Sequence, residues 1–123
     1  MSLLLDENHS KYQIRRYQPG SIQVNEQTYH NSIIIGQEIL LSDWQPQLFS
    51  ELTPAHFALI LPLHPDILLL GTGSTLQFPP PSLYGDLINA GIGVEIMNTR
   101  TACMTYQALA AEGRNVLAAL IIK

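Results

Sequence analysis

Hydrophobic and polar positions change texture about half-way along the chain. From Tyr12 onward they alternate. In "YQIRRYQPGSIQVNEQTYHNSIIIG", Tyr12, Ile14 and Arg16 share one face of a first strand, and Ile22 and Val24 share one face of a second. Pro19-Gly20 is a turn signal between them, and Asn25-Glu26 is a weaker one. Tyr29 to Ile35 is a third, β-branched segment. Glu38 to Leu41 forms a fourth short piece before Trp44. These segments predict a β-meander over residues 12–41.

The second half reads strand, helix, strand, helix, strand, after a short opening helix. Thr53-Pro54 starts that opening helix, since Thr can cap and Pro suits the first helical position; Pro62 stops it. Asp66 to Leu70 is a continuous apolar run, as expected of a strand covered on both faces. Ser82 to Ala90 carries Leu83, Leu87 and Ala90 on one stripe, and Gly91 ends it. Val94 to Met97 is the next strand. From Thr99 to Glu112, the residues Ala102, Cys103, Tyr106, Leu109 and Ala110 fall at helical spacing, and Gly113 closes the helix. Asn115 to Ile122 is a last, nearly all-apolar strand.

Strands that alternate with helices imply parallel neighbours. The expected fold is a layered α/β domain. A mixed sheet carries a parallel β-α-β-α-β core over residues 53–122, and the N-terminal β-meander extends or flanks it. At 123 residues the chain reads as a single domain, 1–123, with residues 1–11 as a loose N-terminal arm.

Composition narrows the function. A net charge of −4, with six Lys and Arg of which only Arg15 and Arg16 are adjacent, argues against nucleic acid as a partner. The longest apolar runs fall far short of the roughly 20 residues a membrane span needs, and the start "MSLLLDENHSK" lacks a basic region ahead of its leucines. Cys103 is the single cysteine, so a disulfide framework is excluded and a reducing compartment is compatible. The four histidines show no metal-ligand spacing. No metal, cofactor or catalytic residue is assigned.

Two stretches carry what chemistry there is. In "DILLLGTGSTL" a strand ends in Gly71, Thr72, Gly73 and Ser74. A dinucleotide fingerprint would need a third glycine where Leu76 stands, with a helix opening on it, and a phosphate loop would need a Gly-Lys pair. The glycines therefore read either as backbone angles the turn requires or as a close approach to a smaller ligand. In "NTRT", Asn98 or Thr99 can cap the long helix. Arg100 then lies in the first turn, where the helix dipole disfavours a cation. An anion at the free N–H groups of Asn98 to Thr101 would reverse that penalty. The alternative is a solvated Arg100 on an exposed face shared with Met104 and Gln107. Glu95, inside an apolar strand, calls for a sheet edge or a partner; Arg114 is the expected ion-pair partner and Arg100 the second choice. Cys103 faces the apolar stripe and reads as an inert core thiol.

These same motifs resemble a family of small domains of unknown function. Its members include bacterial and archaeal single-domain proteins, the third mitochondrial complex I assembly factor and an adipogenesis-associated protein. The residues that carry the likeness are Gly71, Thr72, Gly73, Val94, Glu95, Met97, Thr99, Ala102, Cys103, Tyr106, Glu112, Gly113 and Arg114. Met104 and Gln107 stand where members commonly have Arg and Asn. The resemblance implies layers of helix and mixed sheet, no established reaction, and protein partners during assembly. The expectation is a cytoplasmic, non-enzymatic interaction or assembly module. The alternative is a protein or enzyme that binds a small anionic metabolite between the Gly71–Ser74 turn and the Asn98–Thr101 helix start.

Overall fold

The computed structural model describes residues 10–123. Eight strands form two sheets. Strands β1 (Ile14–Gln18), β2 (Ser21–Val24) and β3 (Gln27–Tyr29) make a small antiparallel meander in the order β1-β2-β3. The main sheet contains β4 (Ile33–Gly36), β5 (Leu40–Leu41), β6 (Ile67–Gly71), β7 (Gly93–Met97) and β8 (Val116–Leu120), in the order β5-β4-β8-β6-β7. Residues 12–41 therefore serve both sheets: β1 to β3 form the meander, and β4 with β5 continue the main sheet.

The three strands read as apolar runs are parallel neighbours. β6 pairs with β7 in the register Leu69 to Glu95, and with β8 in the register Leu69 to Ala118. β4 closes on the other side of β8, antiparallel, with Ile34 opposite Ala119. β8 is thus the middle strand, and all five of its residues are buried. Its side chains alternate between two cores, as the period of a strand requires. Val116, Ala118 and Leu120 join one cluster, and Leu117, Ala119 and Ile121 the other.

The first core lies between the main sheet, the meander and helix α3 (Thr99–Ala111). Ala102, Cys103, Tyr106 and Ala110 face it, one stripe at helical spacing. Ile14, Ile22 and Val24 of the meander complete it. The second core holds Trp44, Phe57 and Leu87 under helices α1 (Pro54–Ala58) and α2 (Gly85–Asn89).

Several element bounds differ from expectation for local reasons. The stripe expected over 82–90 divides into a 3-10 turn, Pro81–Leu83, and the five-residue α2. The proline run sets the first, and Tyr84 breaks the hydrogen-bond ladder between them. α1 starts at Pro54 as expected, and the Nδ1 of His56 accepts the Thr53 N–H at 3.1 Å. Of the expected N-terminal arm, residues 1–9 lie outside the described residues. Its last two residues are anchored rather than loose: Ser10 is buried and the Lys11 N–H donates to the Gln37 carbonyl at 2.7 Å.

Candidate functional site

The turn after β6 and the start of α3 do face each other, as both follow the carboxyl ends of parallel strands. They touch directly. The Thr99 N–H donates to the Gly73 carbonyl at 2.9 Å. The Gly73 N–H donates to the Thr99 hydroxyl at 2.8 Å, and that hydroxyl donates to the Ile121 carbonyl at 2.6 Å. Thr72 is held as firmly: its N–H donates to the Met97 carbonyl at 3.0 Å and its hydroxyl to the Thr75 carbonyl at 2.8 Å. Thr72 and Thr99 are both buried.

The two glycines are explained by the same closeness. A Cβ on Gly71 would stand 2.9 Å from the Thr99 hydroxyl and 3.0 Å from its Cα. Gly73 has φ +101°, and a Cβ there would meet the Lys123 carbonyl at 2.6 Å. The space beside both glycines is therefore filled by the chain itself. The helix start is also largely satisfied. Asn98 caps it, accepting the Thr101 N–H at 2.8 Å. Gly71 to Ser74 and Asn98 to Thr101 thus meet as a hydrogen-bonded junction.

Arg100 turns away from that turn. Its guanidinium lies over the Tyr17 ring, 5.1 Å from the centroid, a cation–π geometry. Ser74 lies near the Tyr17 phenol. Burial raises the Tyr17 phenol above its ordinary value, the nearby Cys103 adds to the rise, and Arg100 and Ser74 oppose it. Arg100 and Tyr17 line a groove between β1 and α3, with a volume of about 360 Å³, and Thr72 and Ser74 line a separate one of about 350 Å³ with Phe49 and Lys123. Arg15, Arg16, Tyr17, Arg100, Met104 and Gln107 line the first above Ile14 and Cys103. Met104 and Gln107, the two positions that depart from the resembled pattern, thus belong to its wall. Gln107 is also structural: its Oε1 accepts the Ile14 N–H at 2.7 Å.

The other sequence assignments resolve simply. Glu95 is exposed on β7, an edge strand of the main sheet, which removes its need for a buried partner. The expected Glu95–Arg114 ion pair is replaced by a surface pair of Arg114 with Glu112 at 3.7 Å. Cys103 and Tyr106 are core residues, 4% and 0% exposed. Burial pushes the Cys103 thiol up to about 12, only partly offset by Arg100, so it is no nucleophile at neutral pH. Tyr106 is raised by burial too. Arg15 and Arg16 were legible only as an adjacent pair; nothing in the sequence brings them to Arg100.

Residues 14–121 match the family described as "Protein of unknown function (DUF498/DUF598)". The chain belongs to this family. Among similar proteins is a "13 kDa major membrane protein" of Francisella tularensis subsp. holarctica, 31% identical over 87% of this chain and 88% of its own. Another is the "NADH dehydrogenase (ubiquinone) 1 alpha subcomplex assembly factor 3" of Danio rerio, 28% identical over 98% of this chain and 70% of its own. A crystal structure from Bordetella parapertussis matches with a TM-score of 0.86 at 32% identity, covering 93% of this chain and 98% of that one. A Bordetella pertussis structure described as a Mth938-like domain matches at 0.82 with 27% identity, covering 99% and 92%. These likenesses bear out the family suggested by the motif residues and the mixed α/β fold. Among the described residues no helix is long and apolar enough to cross a membrane.

Proposed function

We propose that this DUF498 domain is a protein-interaction module of the assembly type, without catalysis of its own. The observation that carries this reading is the filled space between the Gly71–Ser74 turn and α3. The residues that mark the motif, Gly71, Thr72, Gly73 and Thr99, are spent on joining β6, α3 and the exit of β8. They serve the shape of the domain, and what the domain presents is its surface. Relatives named as assembly factors support partners that are proteins. Exposed apolar side chains such as Leu48, Phe78 and Ile88 suit such contacts.

A cytoplasmic location belongs to the same reading. The test is co-purification from the organism that encodes the chain, with deletion of its gene and complementation. One stoichiometric partner, whose assembled complex declines on deletion and returns with the wild-type gene, is the expected result. Free monomer in the extract, with every complex unchanged on deletion, overturns the reading. Recovery of the chain in a washed membrane fraction would overturn the cytoplasmic assignment alone.

A further inference from the structure

The groove between β1 and α3 is lined by Arg15, Arg16 and Arg100, three of the six Lys and Arg residues in a chain of net charge −4. Three cationic residues along one groove raise its positive potential, which attracts an anion. Among the described residues the ion pair formed is Arg114 with Glu112, outside the groove. Among the described residues no carboxylate lines the groove.

The groove is not purely polar. Ile14 and Cys103 form a buried apolar floor, and Met104, 63% exposed, stands at the mouth. An exposed methionine beside cations suits an apolar body attached to a negative head. A volume of about 360 Å³ falls in the range of small-molecule sites. Arg100 lies over the Tyr17 ring and steadies this part of the wall.

A peptide adding as a strand fits less well. Strand addition needs free backbone groups along an edge. On β1 the Ile14 N–H is already taken by Gln107 at 2.7 Å.

We propose that this groove binds a small organic anion, a carboxylate or phosphate monoester with an apolar body. The charged end sits at Arg16 and Arg100 and the apolar body lies on Ile14, Cys103 and Met104. The site differs from the filled turn at Gly73 and stands whether or not the domain also binds proteins.

Calorimetric titration of the full chain at low ionic strength, with phenyl phosphate, hexanoate and inorganic phosphate as probes, tests this. Saturable 1:1 binding of phenyl phosphate or hexanoate is expected, at least about tenfold tighter than inorganic phosphate. The better of the two organic probes identifies the head group. Arg16→Gln and Arg100→Gln should each weaken binding by about tenfold or more, the loss of one charge-assisted hydrogen bond. Arg114→Gln, outside the groove, should leave it unchanged. Arg16 is exposed on β1, so its variant keeps the test valid should Arg100→Gln fold poorly. Equal affinity in wild type and Arg16→Gln, binding of inorganic phosphate as tight as phenyl phosphate, or no saturation by either organic probe overturns the proposal.

Discussion

Thr99 donates its hydroxyl hydrogen to Ile121 across 2.6 Å, while the same oxygen accepts the Gly73 N–H at 2.8 Å. One side chain thus ties the first residue of α3 to the turn after β6 and to the end of β8. Both partners are buried backbone groups that no solvent replaces. Thr99→Val keeps the shape and leaves both unpaired, so it should cost about 2–5 kcal/mol, whereas Thr99→Ser should cost about 1 kcal/mol for a lost methyl. Urea unfolding of the two variants measures this; a valine variant as stable as wild type would refute it.

Gly73 and Gly85 should respond to alanine with opposite signs. Gly73 sits at φ +101° with the Lys123 carbonyl 2.6 Å from a would-be Cβ, while Gly85 opens α2 with nothing within 4 Å. Gly73→Ala should destabilise by about 2 kcal/mol or more through strain and overlap. Gly85→Ala should stabilise by about 0.5 kcal/mol through lost freedom of the unfolded chain. Thermal unfolding of both variants decides it.

Cys103 makes stability fall at alkaline pH. Burial lifts its thiol from an ordinary 9.0 to about 12, with Arg100 acting weakly the other way. Below its ordinary value the thiol is protonated folded and unfolded alike, and its contribution is fully present. As pH rises from there toward about 12, only the unfolded chain ionises, so stability is lost by up to about 1.4 kcal/mol per pH unit. Tyr17 and Tyr106, raised by burial too, extend the loss higher. Cys103→Ala should cost modest stability at neutral pH and flatten the first part of the alkaline decline. Parallel pH profiles for the two proteins would contradict this, as would rapid labelling of the native thiol.

The meander hangs on α3 through two side chains. The Tyr106 hydroxyl donates to the Tyr12 carbonyl at 2.8 Å, and Gln107 accepts the Ile14 N–H at 2.7 Å. Tyr106→Phe and Gln107→Ala should each cost about 1 kcal/mol. Together they should speed amide exchange in β1 to β3 more than in β8. Hydrogen-exchange mass spectrometry reads the difference, and uniform acceleration across both sheets would count against a separable meander.

Much of this fold could be read from the chain because its signals are local. The buried runs of β6 and β8, the Asn98 cap, and Gly91 and Gly113 at φ +85° and +78° are each fixed within a few residues. The site was less legible, because it depends on register. Thr99 reaches Ile121 only because β8 lies beside β6, which sets Leu120 opposite Gly71. A threonine at a helix start looks the same whether it faces a ligand or a carbonyl. Arg100 broke the dipole rule, yet its reason was the Tyr17 ring, remote in sequence and invisible to helical periodicity. Glu95 is accounted for by strand order, which apolar runs alone do not reveal.

Strand β8 separates β4 from β6, so neither half of the main sheet shares an edge with the other until it is in place. In a chain made from its N-terminus, β4 and β6 therefore have no shared strand until residues 116–120 are available to join them. Both cores remain open in the nascent chain, and their apolar faces are available to chaperones until synthesis reaches this strand. Nonsense mutations anywhere upstream of it would yield unfolded protein rather than a shortened working domain.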